Sequence, residues 1–387
     1  MTKNIKSGDL MQTLLNTHSF KISRLVVACL LPLSGFAIAD TVNVYNATEL
    51  QNALKSASSG DEIIVHPGSY TGAKGSNASG SSKAHFYSSK SGTSSSPITV
   101  RSKWKGNKQT LKGSSVDSGY ILYLTGDHWV VKDLKFTTAQ KGIMLEGANN
   151  NTLNNIEVSN IGAEAVHFRY FSSNNTLSNC YIHNTGKRVG KEGFGEAVYV
   201  GTHDGHTSSK LDNSNNNRIG GCAIGPDITA EAFDIKSGTK GTIIESNYIN
   251  GKGIIGTSGD PAADSFIDLK GTDVIIRNNR MDWKNDNNFA HGIFTYQEHR
   301  NSNIYDNEIT LSSSMPTFKL LEETVHAKNN VRLDGGTKVV EAEYQLRKID
   351  GDLDQSIEQR AKTYSCFDEL TNGCGSTPTP TPTPTPT

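Results

Sequence analysis

One short pattern returns along the middle of the chain at unequal intervals, and it restricts the fold more than composition does. The segments WVVKDLKF from Trp129, NTLNNIEV from Asn151, NTLSNCYI from Asn175, NRIGGCAI from Asn217, TIIESNYI from Thr242, VIIRNNRM from Val274 and SNIYDNEI from Ser302 form one column. Their starts lie about 22 to 42 residues apart. That spread suits coils of a β-solenoid carrying loops of different length better than a helical-pair repeat. Each segment alternates apolar and polar residues with the period of a strand, and asparagine returns at corners where its side chain can hydrogen-bond within a turn.

A second strand is expected in each coil: GIMLE at Gly142, EAVHFR at Glu164, EAVYVG at Glu196, EAFDIK at Glu231, SFIDLK at Ser265, HGIFTY at His291 and TFKLL at Thr317. Alternation across a strand predicts that Val166 and Phe168, Val198 and Val200, Phe233 and Ile235, Ile267 and Leu269, and Ile293 and Thr295 point inward. His167, Arg169, Tyr199, Asp234, Lys236, Asp268, Lys270, Phe294 and Tyr296 then face outward. Adjacent coils are spaced by about 4.8 Å, so residues far apart in sequence become neighbours on one face.

Residues 46–57 show helical spacing of Leu50, Leu54 and Ala57, and a short helix there would cap the open end of the solenoid. Upstream, Lys3, Lys6, Lys21 and Arg24 precede the apolar run 25–39, which closes with Ala37-Ile38-Ala39, so 1–39 reads as an export signal. The solenoid domain is expected over 40–365, with a short helix at 354–363. A tail at 366–376 carries Cys366 and Cys374, close enough to clip it, and the alternating Thr and Pro of 377–387 read as a linker. Cys180 and Cys222 fall at equivalent repeat positions, either bonded in an oxidising compartment or stacked as small hydrophobes. A net charge of -1 leaves no global signature of nucleic-acid or membrane-surface binding, and 37 glycines with only 7% aromatic residues suit many short strands. We therefore expect a secreted monomer that is free of the membrane once its leader is removed.

On these residues the segment 41–336 resembles the pectate-lyase-like superfamily, nearest to polysaccharide lyase families 6 and 9, which include alginate lyases, chondroitinase B and some pectate lyases. ATELQNALKSASSGDEIIVHPGSYTG and SSSPITVRSK look like the opening of those enzymes, and the repeats look like their coils. The resemblance implies an all-β chain, a right-handed parallel β-helix with an N-terminal capping helix. EAFDIKSG at Glu231 is similar to the acidic, acidic, lysine arrangement those families use to bind calcium and abstract a proton. It implies Glu231 and Asp234 as calcium ligands and Lys236 as base. Where family 6 places an arginine one coil later, this chain has Lys270. The motifs of family 1 pectate lyases, and the paired aspartates and GHG run of polygalacturonases, are not found.

β-Elimination removes the proton beside a uronate carboxylate while the glycosidic oxygen leaves, so extra negative charge on that carboxylate must be stabilised. Calcium prefers several oxygen ligands, and Glu196, Glu231, Asp234 and Asp268 offer carboxylates on consecutive coils. A lysine base needs partial desolvation or cationic neighbours, which Lys236 and Lys270 can supply to each other. Arg169 is a further catalytic candidate able to bind a carboxylate through paired hydrogen bonds, and His167, Tyr199, His291 and Tyr296 are candidates for contacting sugar. Segments 187–194, 201–213 and 251–263 are expected to wall a groove along the helix axis. His203, Asp204 and His206 read as a solvated loop rather than a transition-metal site, and Glu164 reads as a repeated corner residue. Taken singly, each of these charges fits an ordinary solvated ladder; taken together they point to a site. The expected function is a calcium-assisted lyase for an acidic polysaccharide, pectate ahead of alginate. The alternatives are a glycoside hydrolase using a pair among Glu231, Asp234 and Asp268, and a non-catalytic carbohydrate-binding solenoid.

Overall fold

The computed structural model describes residues 39–338 and the short strands Val340–Ala342 and Leu346–Lys348, apart from 76–82, 207–210, 255–262, 264, 284–290, 297–298 and 322–324. The expected leader up to Ile38, the helix at 354–363, the Cys366 and Cys374 clip and the linker 377–387 lie outside the described residues. No helix among the described residues is long and apolar enough to cross a membrane.

Each coil contributes strands to three parallel sheets, and like residues stack from coil to coil. In the first sheet the inward column runs Leu153, Leu177, Ile219, Ile244, Ile276, Ile304 and Ala327. In the third it runs Phe168, Val200, Ile235, Leu269, Thr295 and Leu320. All but Ala327 are completely buried, so the core is a rod of stacked side chains that each coil lengthens.

The repeat segment expected as a single strand is in fact two. Thr152–Asn154 lies in the first sheet and Glu157–Ile161 in the second; Thr176–Ser178 and Tyr181–His183 repeat the arrangement. Between them sits a residue in the left-handed region: Asn155 (φ 50°), Asn179 (53°), Gly221 (65°), Ser246 (52°), Asn278 (51°), Asp306 (54°) and Asn329 (51°). Asn, Asp and Gly tolerate that conformation best, which is why they mark this corner in the sequence. The following residue turns back into the core, so the alternation of apolar and polar positions runs through the bend and conceals it.

That inward corner residue forms a ladder of its own. Asn247 Oδ1 accepts from Cys222 N (2.9 Å), Asn279 Oδ1 from Asn247 N (3.0 Å), and Asn307 Oδ1 from Asn279 N (2.9 Å). Cys180 and Cys222 occupy two rungs of the same column and are joined as a disulfide. Of the two readings left open for them, the bonded one holds.

The capping helix is Ala47–Ser56, with Leu50, Ala53 and Leu54 buried over the first coils. Asn46 caps it by accepting from Glu49 N (3.0 Å), while Glu49 accepts from Tyr45 N (2.8 Å), a reciprocal arrangement that satisfies the helix start. Gln51 ties the cap to the third sheet, donating to Tyr87 O (3.0 Å) and accepting from Tyr87 N (2.9 Å).

Candidate functional site

The outward face of the third sheet carries three columns of chemistry. On the strands themselves, Met144, His167, Tyr199, Asp234, Asp268, Phe294 and Lys319 stack in register. Two residues further along each strand come Glu146, Arg169, Gly201, Lys236, Lys270 and Tyr296, held in step by backbone bonds such as Lys236 N to Val200 O and Lys270 N to Ile235 O, both 2.8 Å. Three residues before each strand position come Lys141, Glu164, Glu196, Glu231, Ser265 and His291. Acidic residues thus gather at the entry end of the strands and basic ones at the exit end.

Asp234 is the hub. Its Oδ2 lies 2.5 Å from Lys236 Nζ, and its Oδ1 accepts from Lys270 Nζ at 3.1 Å. Lys270 also reaches Asp268 Oδ2 (3.1 Å), whose other oxygen accepts from Ser265 Oγ (3.0 Å). Both ammonium groups lie over aromatic rings, Lys236 4.7 Å from the Tyr199 centroid and Lys270 4.2 Å from that of Tyr296. Gly201 makes room for this packing: it has φ 98°, and a Cβ there would meet Lys236 Cβ at 2.9 Å. Lys236, Lys270, Ser237, Tyr296, His203 and Asp204 enclose a pocket of about 140 Å³.

Burial and charge divide the protonation states. Burial works against the Asp234 carboxylate, but Lys270 and Lys236 hold its pKa below the usual value. Burial also opposes the Lys270 ammonium, yet Asp234 and Asp268 raise it well above the ordinary lysine value. Glu196 is pushed well above the usual carboxylate range by burial and then by Glu164 and Asp234. Glu231 is raised in the same way, by burial and then by Asp268 and Asp234. Burial, with Asp234 and Glu196 next, raises the Tyr199 phenol, so it stays protonated.

The ligand atoms of Glu196, Glu231 and Asp234 all lie within 4.8 Å of one another, and Glu196 Oε2 is buried with no hydrogen-bond partner. Three carboxylates with an unspent oxygen fit a hard divalent cation of the calcium type. Asp268, expected as a fourth ligand, is engaged by Lys270 and Ser265, as Asp234 is by Lys236 and Lys270, and lies outside this cluster.

Other predicted residues sit further from this centre. Arg169 is bonded to Glu146 through Nε (2.8 Å) and Nη2 (2.5 Å). His167 is buried, with Nε2 against Gly201 O (2.8 Å) and its ring 4.5 Å from that of Tyr199. Burial, then Lys141 and Arg169, lowers its pKa well below the usual value and leaves it neutral. His291 contacts the Phe294 ring at 5.5 Å. Of the expected groove walls, 201–213 supplies His203 and Asp204, segment 187–194 folds back through Arg188 N to Gly162 O (3.2 Å), and most of 251–263 lies outside the described residues. Sequence reasoning passed over Lys141, which pairs with Glu164 at 2.6 Å, as well as Ser265 and Ser237, and read His203 and Asp204 only as a solvated loop. The entry column was legible for Lys141 and Ser265, which share the register of Glu196. The sequence marks 201–213 as a groove wall but not which of its side chains face Lys236.

Comparison with known proteins agrees with this fold. The family described as Pel9A-like, right handed beta helix region matches residues 37–265. An alginate lyase from Paenibacillus sp. str. FPU-7 is 36% identical, covering 78% of this chain and 98% of its own, with a TM-score of 0.71. A rhamnogalacturonan lyase shares the fold at 15% identity and a TM-score of 0.51, covering 78% of this chain and 81% of its own. No curated protein sequence matches significantly.

Proposed function

This chain belongs to the Pel9A-like right-handed β-helix family, and from that premise we propose that it is a polysaccharide lyase cleaving a uronic-acid polymer by β-elimination. The observation that carries the reading is the Asp234 hub, with two lysines on one carboxylate that both line a pocket of sugar-ring size beside Tyr296. Alginate, the substrate named for the 36% identical lyase, takes precedence over the pectate expected from the linker.

Lys270, locked as a cation by Asp234 and Asp268, is unsuited to accept a proton and suited to neutralise the substrate carboxylate. That leaves Lys236, which contacts one carboxylate where Lys270 contacts two, to take the proton from C5. The Tyr199 phenol, kept protonated by its surroundings and packed against Lys236, donates to the leaving C4 oxygen. Tyr296 stacks on a sugar ring at the pocket wall. Glu196, Glu231 and Asp234 would hold calcium, which supplies further positive charge beside the substrate carboxylate. The leader-like run 25–39 supports export to where such polymers are found.

Alginate, pectate, glucuronan and glycosaminoglycans are to be incubated with the enzyme, with and without a chelator, while the ultraviolet absorbance of unsaturated uronate ends is followed. Product ends on alginate are expected, with Lys236→Ala lowering kcat by about a hundredfold or more. Lys270→Ala is expected to raise KM as well, because it removes the anchoring cation. Saturated products from every polymer would replace the lyase with a hydrolase, and full activity in Lys236→Ala would remove the base.

A further inference from the structure

The arrangement of base and acid bears on which sugar is cut. Lys236 and Tyr199 stand on neighbouring coils of one sheet, on the same outward face, with the ammonium nitrogen 4.7 Å from the ring centroid. Tyr199 is 8% exposed and Lys236 9%, so each is held almost wholly within the sheet face, the floor beside which Lys236 lines the pocket. A polymer lying along that floor presents one side of each ring to both groups. A proton taken by Lys236 and an oxygen protonated by Tyr199 must therefore lie on the same side of the sugar.

Resting on the lyase reading above, we infer that this enzyme carries out a syn elimination and is selective for 1,4-linked uronates whose C5 proton and C4 oxygen are cis. In mannuronate and glucuronate these two substituents are on the same side of the ring. In guluronate, the C5 epimer of mannuronate, and in galacturonate, the C4 epimer of glucuronate, they are on opposite sides. The step balances without a co-reactant. Lys236 takes the C5 proton, the C5–H electron pair becomes the C4=C5 double bond, the C4–O bond breaks, and the leaving oxygen takes the phenolic proton of Tyr199. Transfer of a proton from Lys236 to the Tyr199 phenolate, directly or through water, restores both groups.

A trans substrate would need one of the two groups on the far side of the ring. Across the pocket from the sheet stand His203 and Asp204, at the turn Asp204–His206. These are the groups that an anti elimination would have to recruit. Lys270 and Ser237 hold the carboxylate in either geometry, so charge recognition alone does not separate the epimers. The placement of the proton transfer does.

The test uses four homopolymers, polymannuronate, polyguluronate, polyglucuronate and polygalacturonate, with kcat/KM read from the appearance of unsaturated ends. At least one of the two cis polymers is expected to be cleaved about a hundredfold faster than either trans polymer, the range a mispositioned acid or base costs. Tyr199→Phe should lower kcat on the preferred polymer by a similar factor with KM nearly unchanged, and His203→Ala should retain that preference. A trans polymer cleaved as fast as the best cis polymer would overturn the inference while leaving the lyase intact. Absence of unsaturated ends from all four would instead overturn the lyase reading on which it rests.

Discussion

Glu231 shows how a single side chain at this site couples charge to stability. It is 1% exposed, and burial followed by Asp268 and Asp234 raises its pKa well above 4.5. A raised value in the folded state means that the native protein holds a proton the unfolded chain releases. The associated stabilisation is complete below the unfolded value and is lost as pH rises through the folded one. Glu196 follows the same sign, whereas Asp234, held below 3.8 by the two lysines against the effect of burial, loses its contribution as pH falls. Glu231→Gln mimics the protonated form and is expected to raise Tm near about pH 8 while changing it little near about pH 4. Added calcium should raise the Tm of the wild type near neutral pH more than that of the variant, because binding to the folded state alone stabilises it. Thermal unfolding across the two pH values, with calcium and with a chelator, reads both effects. An equal shift at both pH values would detach it from the carboxylate charge.

The strand and its corner are the unit in which this protein is built, and the asparagine ladder is where that unit is most exposed to damage. Asn279 accepts from Asn247 N, and its Nδ2 donates to Ile244 O (2.9 Å) and to Asn307 Oδ1 (3.0 Å), all of it buried. Asn279→Ala strands those groups with no water to replace the lost partner and is expected to cost about 1 to 3 kcal/mol. Urea unfolding monitored by circular dichroism measures it, and a change within about 0.5 kcal/mol would mean the ladder is ornamental. Much of this element was legible: Asn at the corners, the alternation of Leu153 or Ile219 with polar neighbours, and the helix ahead of the first coil. The bend at Asn155 and its equivalents was not, because Ile156, Cys180 and Asn247 turn inward where an unbroken strand would also have an inward residue.

At the scale of the whole molecule, coils interact chiefly with their neighbours, so perturbations should stay local. The Cys180–Cys222 bond closes a separation of 42 residues at the corner between the first and second sheets, away from the third sheet that carries Lys236. Replacing both cysteines by alanine is expected to lower stability by at most about 4 kcal/mol, the chain-entropy value for that loop, with kcat preserved. Equilibrium unfolding and a lyase assay on the same preparation test this, and a large fall in kcat would show coupling between sheets that the solenoid does not suggest. The repeat alone determined the architecture, because a fixed alternation recurring with variable loops can bury its apolar positions only by stacking coil on coil. It also determined which residues face outward, since strand alternation is a local property, and so placed Tyr199, Asp234, Lys236, Asp268 and Lys270 on one surface. Tertiary structure alone decided how they divide the work. The sharing of Asp234 between two lysines, the room made by Gly201, the burial of Glu196 and Glu231, and the placing of His203 at the pocket depend on packing between coils and on burial, which act across the stack and leave no local mark in the chain.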